Sequence, residues 1–283
     1  MPITQWDLFN LRYARFDNVT QAVIEKETGI SKRIVDVWVD SPPDKTFMDV
    51  SIGTQRVLRV PLRWGDCQFV AEPEQSFHDT SILQWLAWMF DGFAIEADED
   101  EDITFEFNNT IPALHVLYAV GKAGINKTLL GRSLSEELIF ACPITHSKDI
   151  TASGVVNLDE CLNPTGFPEI KNEFVVPSGR KLVIKALAFG SAKAGDTTPT
   201  RLHVWDERLE LFTPLDHKGV SVEYGKNLLA ADIKLEDIVR VKDYTIPAGH
   251  KLTLNVEVSH DGTNNIAKET LALFLIALWG VGK

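Results

Sequence analysis

From Lys32 onward the chain is built of short apolar–polar alternations broken by turn residues. K-R-I-V-D-V-W-V-D is followed by S-P-P-D, then by F-M-D-V-S-I-G and R-V-L-R-V-P-L. Further on come I-T-F-E-F and A-L-H-V-L-Y-A-V-G, and after Phe174 the runs R-K-L-V-I-K-A-L-A-F-G, R-L-H-V-W-D, V-S-V-E-Y-G, K-L-T-L-N-V-E-V and L-A-L-F-L-I-A-L-W-G. A period of two puts one face of each run on a core and the other toward water. Strands recurring about every ten residues with turns between them predict sandwiches or barrels of antiparallel sheet.

Within this pattern one phrase occurs twice. Val176 to Ile184 reads V-P-S-G-R-K-L-V-I, and Ile246 to Leu254 reads I-P-A-G-H-K-L-T-L. Proline fixes φ and lacks an N–H, so Pro177 and Pro247 suit the residue just ahead of a strand. Gly179 and Gly249 can supply the positive φ that turns the chain into it. The basic residues that follow stay wet while Leu and Ile fill the core. The phrase is a sheet-rim device and carries no chemistry.

A longer echo spans the halves. Lys32–Val39 precedes Arg180–Leu187 by 148 positions, and Ile103–Phe107 precedes Leu252–Val256 by 149. The run ending at Gly121 precedes the one ending at Gly280 by 159, the difference falling in S-H-D-G-T-N-N-I-A-K. Three blocks in one order predict two tandem antiparallel β-sandwiches, jelly-roll-like, with a few short helices. The expected boundaries are a helix over 1–29, a first sandwich over 30–147, a linker over 148–172 rich in Gly, Pro and Asn, and a second sandwich over 173–283.

The N-terminal helix is read from Trp6, Phe9, Tyr13, Phe16 and Val23, whose spacing lays them on one stripe. Thr4 with Asp7 resembles a capping box, and Gly29 a stop. The stripe faces either the core or a neighbouring subunit, which makes Trp6, Phe9, Tyr13 and Phe16 the candidate assembly residues. Asp79 or Ser81 opens an apolar run that is a buried helix or a buried strand pair, and Ser133 with Glu136 marks a short helix.

Charge and composition exclude several functions. The net charge of −12 is the wrong sign for a phosphate-neutralising surface, so nucleic acid is not an expected partner. No apolar run is long enough to span a membrane, and no signal-peptide pattern opens the chain. Three widely spaced cysteines, Cys67, Cys142 and Cys161, form no CxxC pair and are read as partly buried free thiols in a reducing compartment.

Catalytic and metal patterns are likewise lacking. The seven histidines show no His-x-His with a following Glu, and Pro143 breaks the helix on which Cys142 and His146 would share a face. No H-E-x-x-H, G-x-S-x-G or phosphate loop occurs. The acidic run Glu96–Asp102 could offer oxygens to calcium, but it lacks the EF-hand glycine and aligns with the Pro247 turn, so a solvated loop is expected. Asp206, Glu207 and Glu210 beside Trp205 are the least poor carboxylate set for glycoside hydrolysis. Trp64, Trp85, Trp88, Trp205 and Trp279 could form a sugar platform, although most sit in core-like runs. His260–Asn265 reads as an exposed loop tip. No cofactor, metal or enzymatic activity is expected.

The doubled phrase resembles the V-P-A-G-K strand starts of β-sandwich proteins in phage and virus particles. Two sandwiches in under 300 residues resemble the double jelly-roll capsid proteins of icosahedral viruses. That resemblance implies a non-enzymatic virion subunit, made in the host cytoplasm, that self-associates as a trimer or higher and meets other particle proteins. Its first half departs from the pattern, since K-R-I-V lacks the Pro-Gly pair. The alternative reading is a phage tail or receptor-binding module that recognises a glycan or host surface.

Overall fold

A computed structural model describes residues 10–64, 67–68, 94–122, 138–161, 168–190, 194–205, 210–212 and 239–282. These residues are mainly β-strand, arranged in large sheets, and contain no α-helix. The chain divides into two compact units, Met1–Trp64 with Gln68–Leu138, and Gly65–Cys67 with Ile139–Lys283.

The first unit carries β1 (Leu11–Ile24), β2 (Ile30–Asp40), β3 (Thr46–Ile52) and β4 (Gln55–Trp64). Past the short β5 (Cys67–Gln68) come β6 (Glu96–Ala97) and the long β7 (Ile103–Lys122). The second unit carries β8 (Leu138–Thr145), β9 (Gly154–Asn157), β10 (Glu160–Cys161), β11 (Phe174–Val175) and β12 (Arg180–Gly190). It continues with β13 (Thr198–Trp205), β14 (Glu210–Phe212), β15 (Val239–Pro247), β16 (Lys251–Ser259) and β17 (Ala272–Val281). Residues 148–172, expected as a linker, thus include β9 and β10.

The expected helix over 1–29 is corrected by β1. Trp6 and Phe9 lie outside the described residues, while Tyr13, Phe16 and Val23 lie on a strand that pairs with β7 on both sides of a register break between Val19 and Gln21. From Tyr13 to Asp17 exposure alternates with a period of two: Tyr13, Arg15 and Asp17 are exposed, and Ala14 and Phe16 are half-buried. Steps of three and four fitted a helical stripe, but pairing with β7 satisfies the backbone and puts Tyr13 and Phe16 on opposite faces. The apolar run over 81–95, expected as a buried helix or a buried strand pair, falls almost wholly outside the described residues, and the short helix expected at 133–136 falls wholly outside them. Among those described, no helix is long and apolar enough to cross a membrane.

Each unit has the same two four-strand ladders. In the second, β8-β17-β12-β15 form one and β9-β16-β13-β14 the other, with β11 also against β16. In the first, β1 and β7 run unbroken through both ladders. The early half of β1 pairs with the late half of β7, next to β2 and β6, and the late half of β1 pairs with the early half of β7, next to β3 and β4.

The correspondence extends to register. Ile30 opposite Lys122 matches Arg180 opposite Val281, and Asp40 opposite Ala113 matches Gly190 opposite Ala272, with every pair between also matching. Both ladders slip at the same place, between Ile34 and Asp36 and between Ile184 and Ala186. The hairpins agree too: Val50–Leu58 and Ser51–Arg56 match Val204–Phe212 and Trp205–Glu210, slip included. The β2·β6 pair of Lys32 with Ala97 answers the β12·β15 pair of Leu182 with Ile246. The strand offset for β2 and β12 is therefore 150 rather than the 148 that aligning their basic residues suggested.

That register explains the doubled phrase. The chain turns from β11 to β12 through Pro177–Gly179 and from β15 to β16 through Pro247–Gly249. β11 pairs with β16 and β12 with β15, so the two turns are partners in one corner of an antiparallel ribbon. Gly249 N–H donates to Val176 O at 2.8 Å, and Val176 N–H to His250 O at 3.0 Å. The glycines have φ of +74° and +82°. Two strands that bend together at one point face the same local demand, hence the same grammar.

The first unit builds its corner from different residues. Glu27-Thr28-Gly29 stands where Pro177-Ser178-Gly179 stands; Gly29 has φ +79°, and Ile30 N–H donates to Glu27 O at 3.0 Å as Arg180 N–H does to Pro177 O at 3.1 Å. Asp98–Glu101 answers Pro247–His250, with Glu101 N–H donating to Asp98 O at 3.1 Å. Cores follow the alternation: on β16, Leu252, Leu254, Val256 and Val258 are buried between half-buried neighbours. Each such aliphatic contributes about 1.5–3 kcal/mol relative to exposure.

Candidate functional site

The first unit presents one polar–aromatic cluster on the face of β1, β7 and β2. Register places Trp38 and Arg15 on either side of His115, and Tyr13 lies two residues along β1 from Arg15. The Tyr13 hydroxyl lies 2.6 Å from His115 Nδ1, and His115 Nε2 lies 3.1 Å from Asp40 Oδ2. In the tautomer with the proton on Nε2, His115 donates to Asp40 and its Nδ1 accepts from the Tyr13 hydroxyl. Trp38 stacks on the imidazole at 5.2 Å with an interplanar angle of 6°, and Tyr13 lies 6.1 Å from Trp38.

The centre of this line is shielded, while both ends meet solvent, Asp40 at 33% side-chain exposure. His115 is 6% exposed and Tyr13 is 55% exposed. An exposed tyrosine normally samples several rotamers; here a buried histidine, itself held by Asp40 and Trp38, fixes its hydroxyl. Ordering that side chain ahead of contact removes much of the entropy that binding would cost. Around it Leu11 is exposed, and Arg15 pairs with Asp17 at 2.8 Å on the surface. Asp40 Oδ1 is buried with no hydrogen-bond partner among the described residues. The second unit lacks the cluster: its matching positions are Ala188, Gly190 and Phe274.

β1 is also an edge. Among the described residues it pairs with β7 alone. Arg12, Arg15 and Asp17 along it are the charges that discourage indiscriminate strand addition, and Arg12 is tied to Glu27 at 2.6 Å. Of the four candidate assembly residues, the structure describes Tyr13, at the centre of this surface, and Phe16, half-buried on the opposite side. The cluster was not legible in sequence, because Asp40, His115 and Tyr13 are far apart in the chain and meet only through register.

The acidic run has another use. Asp98 accepts from the Ser31 hydroxyl at 2.7 Å, Glu99 from Gly29 N–H at 2.6 Å, Glu101 from Asp98 N–H at 3.0 Å and Asp102 from Lys26 N–H at 2.5 Å. These carboxylates bind the corner of the first unit together instead of converging on an ion. No group of three or more His, Cys, Asp or Glu among the described residues is arranged to hold a metal.

Beneath that corner lies Lys32, 1% exposed, its Nζ without a hydrogen-bond partner among the described residues. Burial lowers its pKa, against the opposing pull of Glu27 and Asp102. Asp49 and Arg59, opposite each other on β3 and β4, form a buried two-point ion pair with both contacts at 2.5 Å, the guanidinium lying over Phe47. Both features are structural.

The remaining candidates are dispersed. Cys142 and His146 lie on or just past β8, a strand, and do not meet as ligands. His146 is buried, with Nδ1 donating to Lys148 O at 2.8 Å and Nε2 accepting from Leu271 N–H at 3.2 Å. At the loop tip, Asp261 accepts from the N–H groups of Thr263, Asn264 and Asp196, which with the Asn264 side chain hold its carboxyl far below the usual range. Its oxygens are thus committed within the loop. Trp85, Trp88, Asp206 and Glu207 lie outside the described residues, Trp64, Trp205 and Glu210 are on β4, β13 and β14, and Trp279 packs against Phe174 at 5.9 Å. No protein-family model and no curated protein matches the chain.

Proposed function

We propose that the chain is a non-enzymatic structural subunit of a virus or phage particle, built of two tandem jelly-roll sandwiches and assembling through strand edges. The observation that carries this reading is the strand order. β8-β17-β12-β15 with β9-β16-β13-β14 is the order obtained by wrapping one antiparallel ribbon into two sheets, the plan of a jelly roll. The same orders and the same slips recur in the first unit, as a duplicated design requires. The exposed, pre-ordered Tyr13, with Trp38 behind it and Arg15 beside it on the edge strand β1, has the composition of an interface hot spot.

This reading expects self-association to a trimer or higher and contact with other particle proteins. Size-exclusion chromatography with light scattering tests it. A concentration-dependent oligomer that Tyr13→Ala weakens supports assembly through β1, and a monomer at every concentration overturns it. The same exposed tyrosine favours the second reading, a tail or receptor-binding module for a glycan or host surface, since a fixed aromatic ring can stack on a sugar. A monomer that binds a glycan array, and loses that binding in Tyr13→Ala, would support this alternative.

A further inference from the structure

The second unit holds a pair of thiols that its fold brings together. On β10, Cys161 lies opposite Ile144 of β8, and Cys142 sits two residues along β8 on the same face. The two are therefore diagonal cross-strand neighbours, within reach of each other's side chains. Their sulfurs are 3.0 Å apart. Both are unbridged and buried, Cys142 at 1% exposure and Cys161 at 5%, beside Phe140 and Ile144. Buried cysteines are usually inert packing groups. Two of them at this separation are different, because an oxidised sulfur on one has its reductant already in contact.

We propose that Cys142 and Cys161 form a redox modification site that closes to a disulfide on reaction with a hydroperoxide. A small oxidant suits the burial, since a bulky mixed disulfide would have to open the core. Cys161, the less buried, loses its proton, and its sulfur attacks one peroxide oxygen. The O–O bond breaks, leaving a sulfenic acid and releasing water. The Cys142 thiolate then attacks the sulfenic sulfur, forming the S–S bond and expelling the hydroxyl, which takes a proton and leaves as a second water. Overall two thiols and one hydrogen peroxide give one disulfide and two waters, with two electrons passing from sulfur to oxygen. The bridge ties β8 to β10 and closes the segment that carries β9 at the edge of the second ladder. Oxidation thereby rigidifies one margin of the second unit without adding a chain contact.

Full-length protein treated with hydrogen peroxide, quenched with catalase, unfolded and alkylated with N-ethylmaleimide tests the site by mass spectrometry. The expected outcome is a fall in alkylatable thiols from three to one, with a peptide joining Cys142 to Cys161. Thermal unfolding is expected to rise by roughly 5–10 °C. Cys67→Ser keeps both effects, and Cys161→Ser abolishes both. Three alkylatable thiols after treatment, a bridge through Cys67, or a sulfinic acid on Cys161 with Cys142 still alkylatable would each overturn the proposal. Should Cys161→Ser not fold, the peptide map of the unaltered chain decides alone.

Discussion

The N–H of Gly249 donates to the carbonyl of Val176 at 2.8 Å, so the two look-alike phrases of the second unit are hydrogen-bonded neighbours. Seventy residues of separation disappear in one corner of a ribbon. Their likeness is the likeness of paired strands bending at the same place, and it predicts that the two glycines behave alike.

Gly179→Ala and Gly249→Ala should each cost about 1–2 kcal/mol, because a side chain at positive φ is strained although space around both is open. Asparagine should cost less at either position. Gly195→Ala should cost more than both, since its Cβ would also collide with the Asn264 side-chain amide. Urea denaturation curves of the variants check this order, and equal costs at all three would refute it.

His146 should make the fold acid-sensitive. Burial lowers its pKa from 6.5, its neutral Nε2 accepting the Leu271 N–H. Below about pH 6.5 the unfolded chain takes a proton that the folded chain refuses until lower pH. The unfolded state then binds more protons, so stability is full above that pH and falls as pH drops, by at most about 1.4 kcal/mol per unit. His146→Gln should flatten the profile between pH 7.5 and 5. An unchanged slope in that variant would remove His146 from the explanation.

Lys32→Met should stabilise the protein at neutral pH by about 1–3 kcal/mol. It replaces a buried cation without a hydrogen-bond partner by an apolar side chain at a position where the second unit has buried Leu182. Because burial lowers the lysine's pKa, the unaltered chain should gain stability as pH rises toward 10.5, and the variant should not share that gain. A variant less stable at pH 7 would show that Lys32 is compensated.

The Asp49–Arg59 pair should be strongly non-additive. Arg59→Leu leaves the buried Asp49 carboxylate to the more distant Arg56 at 3.7 Å and should cost about 3 kcal/mol, whereas Asp49→Leu with Arg59→Leu together should recover most of that. A double-mutant cycle by equilibrium unfolding measures the coupling, and simple addition of the two single effects would count against a pair isolated from water.

Sheet content and the half-length echo were legible in sequence because alternation survives in strands whose inner face is buried throughout, as on β16. The true offset was hidden by Lys32. A lysine in a core position invited alignment with the basic residues that open β12, although its partner in register is Leu182. The match of Gly29 to Gly179 is invisible in sequence because the first unit fixes its corner with Glu99, Glu101 and Asp102 instead of proline. On β1 the aromatics met both a helical and an extended spacing, and only pairing with β7 decides between them. Tyr13, Asp40 and His115 could not be joined at all without knowing that β1 and β2 flank β7.

The shared slip in the β2·β7 and β12·β17 ladders outlives the side chains around it. Where the first unit has Trp38, Asp40 and His115 the second has Ala188, Gly190 and Phe274, yet the extra residue stands at Val35 and at Lys185 alike. Deleting it would turn every residue beyond onto the wrong face, so the interruption is fixed by the sheet's geometry and the letters around it are not. Distant kin of this chain are therefore better sought by the spacing of such interruptions along their strands than by the residues those strands contain.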